Sequence, residues 1–179
     1  MTFKFQPARV LSMITLYNVT SADGFIADKN GNEDFIPDSL WNDFLDLCSK
    51  SDVVVMGHNT YKAIQNYPKE LVGSFEELPI ERFVISTNHS FTPKNSYKKF
   101  VSLEEAFKNK QNILVSSGPK LNDSILEKSL ANRYILTILP QTLGVGIKAY
   151  NQDFNKEIIS QEDLGGGIKR ITYEIIKNP

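Results

Sequence analysis

Three apolar runs with almost no polar interruption, "DVVVMG" (52–57), "RFVIST" (82–87) and "NILVSS" (112–117), restrict the fold more than any other feature of the chain. A continuous apolar run suits a strand covered on both faces, and such strands belong to parallel sheets sandwiched between helices. The segments around the runs agree. "NTYKAIQNY" (59–67), "LEEAFKNK" (103–110) and "PKLNDSILEKSL" (119–130) read as short helices, and "DSLWNDFLDLCSK" (38–50) carries Leu40, Trp41, Phe44, Leu45, Leu47 and Cys48 on one broad stripe. "MITLYNVT" (13–20) and "NRYILTILP" (132–140) are β-rich, and "KKFVS" (98–102) is a short strand. "DFNKEIISQEDL" and "IKRITYEIIK" read as two antiparallel strands joined across Gly165-Gly166-Gly167. The expected class is therefore α/β, with a mixed, mostly parallel central sheet flanked by helices and antiparallel strands at the C-terminal end.

Composition narrows the partners. The 179 residues fit a single domain over 13–179 after an N-terminal extension at 1–12, since Met13 opens the first strand. A formal net charge of −1 leaves no electrostatic footprint for nucleic acid or an anionic membrane, so a small molecule is the expected partner. Cys48 is the only cysteine, which excludes an internal disulfide and fits a reducing, cytoplasmic setting. His58 and His89 lie too far apart for a local ligand motif, and no metal is expected. No apolar run approaches the roughly 20 residues of a spanning helix.

In α/β sheets, ligands bind beyond the carboxyl ends of the strands, which directs attention to Gly57, Ser86 and Ser116-Ser117-Gly118. A glycine ending a buried strand, with a helix starting at once, aims free N–H groups and the positive end of the helix dipole at one spot. Gly57 to Thr60 is either such an anion site or an ordinary turn capped by Asn59. The arrangement recurs where "ILVSSGPKL" passes through Gly118 to Pro119, a favoured first helical residue. Two such helix starts facing one cleft could hold a pyrophosphate between them. Neither is a G-x-G-x-x-G or G-x-x-x-x-G-K-[ST] loop. Ser86, Thr87 and Asn88 at the middle strand end offer either hydrogen bonds to a ribose or caps to a turn.

The order of these pieces resembles the dihydrofolate-reductase-like fold and, more narrowly, the RibD C-terminal domain family, the reductase of riboflavin biosynthesis. The resemblance runs from about residue 13 to 176 and rests on "SADGFIA", "MGHNTY" and "LTILPQTLGVGI" in sequence. It implies NADPH, or NADH, lying across the strand ends and delivering hydride to a C=N or C=O bond of a nitrogenous substrate, as in 5-amino-6-(5-phosphoribosylamino)uracil reduction. It further implies that Gly57, His58, Asn59 and Thr60 contact the pyrophosphate and the adenosine 2′-phosphate, and that Ser86 and Thr87 hold the adenosine side. Ser117, Gly118, Pro119, Lys120 and Leu121 would cover the other side of the pyrophosphate. Ala22, Asp23, Gly24 and Ile26, in a lid loop of about 16 residues, would lie beside nicotinamide and substrate. Phe35 joins them, as lid anchor or substrate contact, and Trp41 as core residue or stacking platform.

The chain departs from the family at two points. His58 stands where members carry a basic residue, which leaves NADPH and NADH both open, and Ser116-Ser117 stand where members favour glycines. A carboxylic acid in the cleft is the expected proton donor, with Asp38 first, Asp43 second and the lid residue Asp34 third; water is the alternative. "PKEL" and "FEELPIER" read as a charged surface stretch, and Lys169 and Arg170 as charges at a sheet edge or a subunit contact. A homodimer through sheet edges is expected from the resemblance. The competing readings are a non-catalytic nucleotide-binding or regulatory protein of the same fold, and a dihydrofolate reductase. The zinc-deaminase motifs H-x-E and P-C-x-x-C are absent from the chain.

Overall fold

A computed structural model describes residues 12–177, so the extension expected at 1–12 lies outside the described residues except for Ser12. Strands and helices interleave along the chain as far as residue 138, after which only strands follow. β1 (Met13–Thr20) is followed by the short β2 (Phe25–Ala27), α1 (Ser39–Ser49), β3 (Val53–Gly57), α2 (His58–Gln65) and α3 (Lys69–Glu76). β4 (Glu81–Ile85), β5 (Lys98–Phe100), α4 (Leu103–Phe107), β6 (Asn112–Ser116) and α5 (Pro119–Glu127) continue the pattern. β7 (Arg133–Ile138), β8 (Ile147–Lys148), β9 (Lys156–Gly165) and β10 (Ile168–Ile175) complete it. The main sheet has the order β5-β4-β3-β6-β1-β7-β10-β9. Its strands from β5 to β7 are parallel, while β10 and β9 run antiparallel, matching the expected class.

The apolar runs are buried as their composition requires, with Val53, Val54, Val55 and Met56 all at 0% exposure in the middle of the sheet. Alternate residues of β3 feed two cores on opposite faces. Val53 and Val55 join Leu16, Phe83, Ile113 and Ile125 on one side, and Val54 and Met56 join Phe44, Tyr61, Phe75 and Val84 on the other. Cys48 lies in the second core, where burial pushes its thiol pKa up and leaves it a small apolar side chain.

Three segments differ from the sequence-based expectation. The stretch expected to be charged surface contains α3, whose Val72 and Phe75, three apart, share a buried face. Lysine and glutamate flank the pair and mask it. Arg82 closes this helix: its guanidinium donates to the carbonyls of Phe75, Leu78 and Ile80 and lies 5.1 Å from the Phe75 ring centroid. Arg170, expected at an exposed edge, is largely buried, because β9 and not β10 is the outer strand. Finally, the lid contributes β2, which pairs with β8. Gly146 permits that contact, since a β-carbon there would meet the Ala27 carbonyl oxygen at 2.3 Å. Among the described residues no helix is long and apolar enough to cross a membrane.

Candidate functional site

At the carboxyl ends of β1, β3 and β6 the helices splay apart and leave a cleft of about 410 Å³. Its floor is Tyr17 to Val19 of β1 and Ser116 to Gly118 after β6, and its far wall is Leu40, Trp41 and Phe44 of α1. Ile26 with Glu33, Asp34, Ile36, Pro37 and Asp38 of the lid lines it too, as do Thr60, Tyr67 and Leu71. A cleft of this size at a strand-end position is where α/β sheets bind small ligands.

Two helices begin beside it. α2 starts after Gly57 and α5 after Gly118, and neither start carries a side-chain cap, so their first backbone N–H groups remain open to an anion. The two starts are coupled. The Gly57 N–H donates to Ser117 Oγ at 3.1 Å. The Ser117 carbonyl is in turn gripped by Asn18 Nδ2 at 2.8 Å and Asn122 Nδ2 at 3.0 Å. Asn122 also donates to the carbonyl of Ala149, which ties the loop after β8 to the same point. Serine at 117 therefore fastens one helix-start turn to the other where glycine would leave them independent, and it occupies the Gly57 amide, in a residue that the resemblance expects at the pyrophosphate.

The region that the resemblance assigns to adenosine centres on His58 and Ser86. His58 stacks on Phe91 with ring centroids 4.0 Å apart, and its Nδ1 lies 3.4 Å from Ser86 Oγ. Burial, with Lys62 and Lys99 nearby, holds its pKa below the usual imidazole range. Two lysines thus stand near position 58, and the Lys99 ammonium donates to the carbonyls of Asn88 and Phe91. Lys62 was legible as one helical turn beyond His58, whereas Lys99 arrives from β5. Asn59 and Thr87 are exposed, and Lys120 is exposed on α5. Leu121 is a core side chain, so only its backbone can serve a ligand.

Of the residues expected near substrate, Ile26, Asp34, Asp38 and Trp41 line the cleft. Trp41 is fixed by an indole N–H bond to Ser74 Oγ at 2.9 Å and packs against Phe44 and Tyr67. Asp38 precedes α1 without capping it. Asp43 does not reach the cleft: it sits on the flank of α1 facing β10 and pairs with Arg170 at 3.2 Å. Asp23 is also turned away. Its carboxylate accepts from the backbone N–H groups of Leu143 and Gly144, and with Gly24 it borders a separate cavity of about 240 Å³. A hydrogen bond from the Ser21 hydroxyl, with these two backbone bonds, holds Asp23 below the usual carboxylate range and makes it a clasp between the lid base and the loop before β8. The Ala22 N–H serves the same clasp through the Gln141 carbonyl, and Phe35 is half-buried outside the cleft lining.

The acid that sequence reasoning missed is Glu33. It lines the cleft from the lid, accepts a hydrogen bond from the Tyr67 hydroxyl, and has its pKa raised by burial, against the opposing effect of that bond. Thirty-four positions separate the two residues, so no local pattern connects them.

Comparison with known proteins bears on the fold. No family model matches the chain. The protein YwjB of Bacillus subtilis is 23% identical over 156 residues, covering 79% of this chain and 84% of its own length. The deaminase/5-amino-6-(5-phosphoribosylamino)uracil reductase of Thermotoga maritima superposes with a TM-score of 0.71 at 15% identity over 92% of this chain. That match spans 57% of the Thermotoga protein. A pyrimidine reductase-like protein of Corynebacterium diphtheriae gives 0.70 at 14% identity, covering 97% of this chain and 96% of that one. Dihydrofolate reductase of Enterococcus faecalis, solved with NADP(H), gives 0.67 at 15% identity, covering 93% and 98%. With its strand-end cleft and its mostly parallel sheet closed by an antiparallel pair, the chain has the dihydrofolate-reductase-like fold, similar to RibD-type and pyrimidine-reductase-like structures.

Proposed function

We propose that the protein is a nicotinamide-dependent reductase, using NADPH in preference to NADH, that delivers hydride to a C=N or C=O bond of a small nitrogen-containing substrate. The observation that carries this reading is the pair of uncapped helix starts at Gly57 and Gly118, fastened together at the mouth of the cleft. The amides of His58, Asn59 and Thr60 on one side, and of Lys120 and Leu121 on the other, would hold the pyrophosphate. Lys62 and Lys99 beside His58 suit the extra phosphate of NADPH. The bound cofactor supplies the hydride. The chain supplies position: Ile26 and Trp41 confine a flat substrate, and Asp38 or Glu33 stands in the cleft to deliver a proton to the reduced atom.

Titration with NADPH and NADH, followed by nicotinamide fluorescence, tests the reading. Saturable binding tighter for NADPH is expected; absence of binding by both would refute it. The non-catalytic alternative draws on the Gly57–Ser117 bond, which withdraws one amide from the pyrophosphate. Binding without turnover on any carbonyl or imine substrate would favour it.

The proposed setting is the cytoplasm, in keeping with the single buried Cys48. The proposed assembly is a homodimer. β9 is an outer strand of ten residues whose other edge has no partner among the described residues, and Ile158 and Ile159 on it are 59% and 50% exposed. Sedimentation would detect the pair, and Ile158→Lys would dissociate it.

A further inference from the structure

The cavity of about 240 Å³ beside Asp23 is lined by β7, the end of β1, the lid base and the chain that follows β8, and it shares no lining residue with the strand-end cleft. Its walls are fixed by bonds already formed. Asn151 donates its backbone N–H and its Nδ2 to the Asp123 carboxylate at 2.9 and 2.8 Å, and Gln152 Nε2 donates to the Asp123 carbonyl at 2.7 Å. Asn122 holds the Ala149 carbonyl, while Ser21 and the amides of Leu143 and Gly144 hold the Asp23 carboxylate. Walls held before anything enters demand little ordering from a ligand. Three lining side chains keep unspent capacity. Tyr134 is 0% exposed, and its hydroxyl has no hydrogen-bond partner among the described residues. A phenylalanine would fill the same place without the cost of burying an unsatisfied hydroxyl. Lys148 and Asp153 line the cavity as exposed residues, and among the described residues neither forms an ion pair, with the other or elsewhere.

We propose that this cavity is a second small-molecule site, taking an α-amino acid with a polar side chain: the carboxylate pairs with Lys148, the ammonium with Asp153, and the side chain hydrogen-bonds the Tyr134 hydroxyl. A simple anion entering here would meet the Asp153 charge and a simple cation that of Lys148, whereas a zwitterion satisfies both. The volume agrees. At about 30 Å³ per water in the liquid, the space corresponds to about eight waters, room for a small organic molecule rather than one trapped water. The site is independent of the reductase reading, because it uses no residue of the cleft.

Titration of the full chain, followed by amide-resolved NMR, tests the site with L-glutamine and three relatives that each lack one group. Glutaramate lacks the ammonium, γ-aminobutyramide the carboxylate, and L-norvaline the side-chain amide. L-Glutamine should bind saturably and shift the amides of residues 148–153, and each relative lacking a charge should bind about tenfold more weakly, the scale of one charge-assisted hydrogen bond. Lys148→Met should bring L-glutamine down to the level of γ-aminobutyramide while leaving γ-aminobutyramide itself unchanged. Asp153→Asn should do the same with respect to glutaramate. Both side chains are exposed, so these variants keep the fold. Tyr134→Phe removes an unsatisfied group, should unfold at no lower temperature, and should erase the preference for L-glutamine over L-norvaline. Equal binding of glutaramate, or preferences unchanged in the variants, overturns the proposal. Absence of a saturable shift at 148–153 with L-glutamine also overturns it, and leaves a cavity that holds water alone.

Discussion

Replacing Gly57 by alanine would place a methyl carbon 3.0 Å from Ser117 Oγ, so the hydroxyl must give by a few tenths of an ångström and weaken the bond it accepts from the Gly57 N–H. The backbone at Gly57, with φ −79° and ψ 166°, suits alanine, so the whole cost comes from the contact. Local overpacking of this kind costs about 1–3 kcal/mol. Ser117→Ala alone removes the acceptor and should cost about 1 kcal/mol. In the double variant the clash disappears with the hydroxyl, so the pair should be about 1 kcal/mol more stable than the sum of the single changes, outside the roughly 0.5 kcal/mol band of independent sites. Urea unfolding followed by circular dichroism measures all four corners of the cycle. Cofactor affinity should fall in both Gly57→Ala backgrounds, because the methyl group also narrows the mouth between the helix starts. Additive stabilities would show that the two turns are not fastened through Ser117; unchanged cofactor affinity would remove Gly57 from the phosphate site.

Three further outcomes follow from the geometry. Phe75→Ala should cost about 3–5 kcal/mol in chemical denaturation, since the ring is fully buried between α1, α3 and β4. His58 should titrate by NMR below roughly 6.5. As its folded pKa is depressed, its contribution to stability is present above the unfolded value and lost on acidification, while the preference for NADPH over NADH should grow as protonation adds a charge. Glu33 runs the other way. Its folded pKa is raised, so the native state binds the extra proton and stability declines as pH climbs from the ordinary glutamate value through the raised one. Glu33→Gln should therefore flatten the pH–stability profile in that window and leave the protein no less stable at neutral pH.

The strand ends were legible because their signal is local: apolar runs that stop at Gly57, Ser86 and Ser117 mark where a buried strand meets a cleft. The acids were legible only in part. Asp34 and Asp38 stand out beside Pro37 and the start of α1, and both line the cleft, but Asp43, named only because it shares the helix that Asp38 precedes, turns to β10 instead. Glu33 and Tyr67 went unread because their meeting depends on how the lid folds back over the end of α2. α3 was hidden by charge: Lys69, Glu70, Glu76 and Glu77 surround two apolar residues that alone decide its inward face. The burial of Arg82 has the same origin, since its partners are backbone carbonyls, which no sequence displays.

The position of β1 in the sheet has a consequence for how the chain folds. It is the first strand among the described residues, yet its neighbours are β6, where Met13 meets Asn112, and β7, where Leu16 meets Tyr134. Until more than about 90 further residues have emerged, "MITLYNVT" has neither of its edges paired. Contacts of such long sequence separation slow folding and leave an apolar β-segment open to wrong partners meanwhile. A nascent or truncated chain ending before β6 should therefore be the species that aggregates or recruits chaperones, although the finished strand lies at the centre of the sheet.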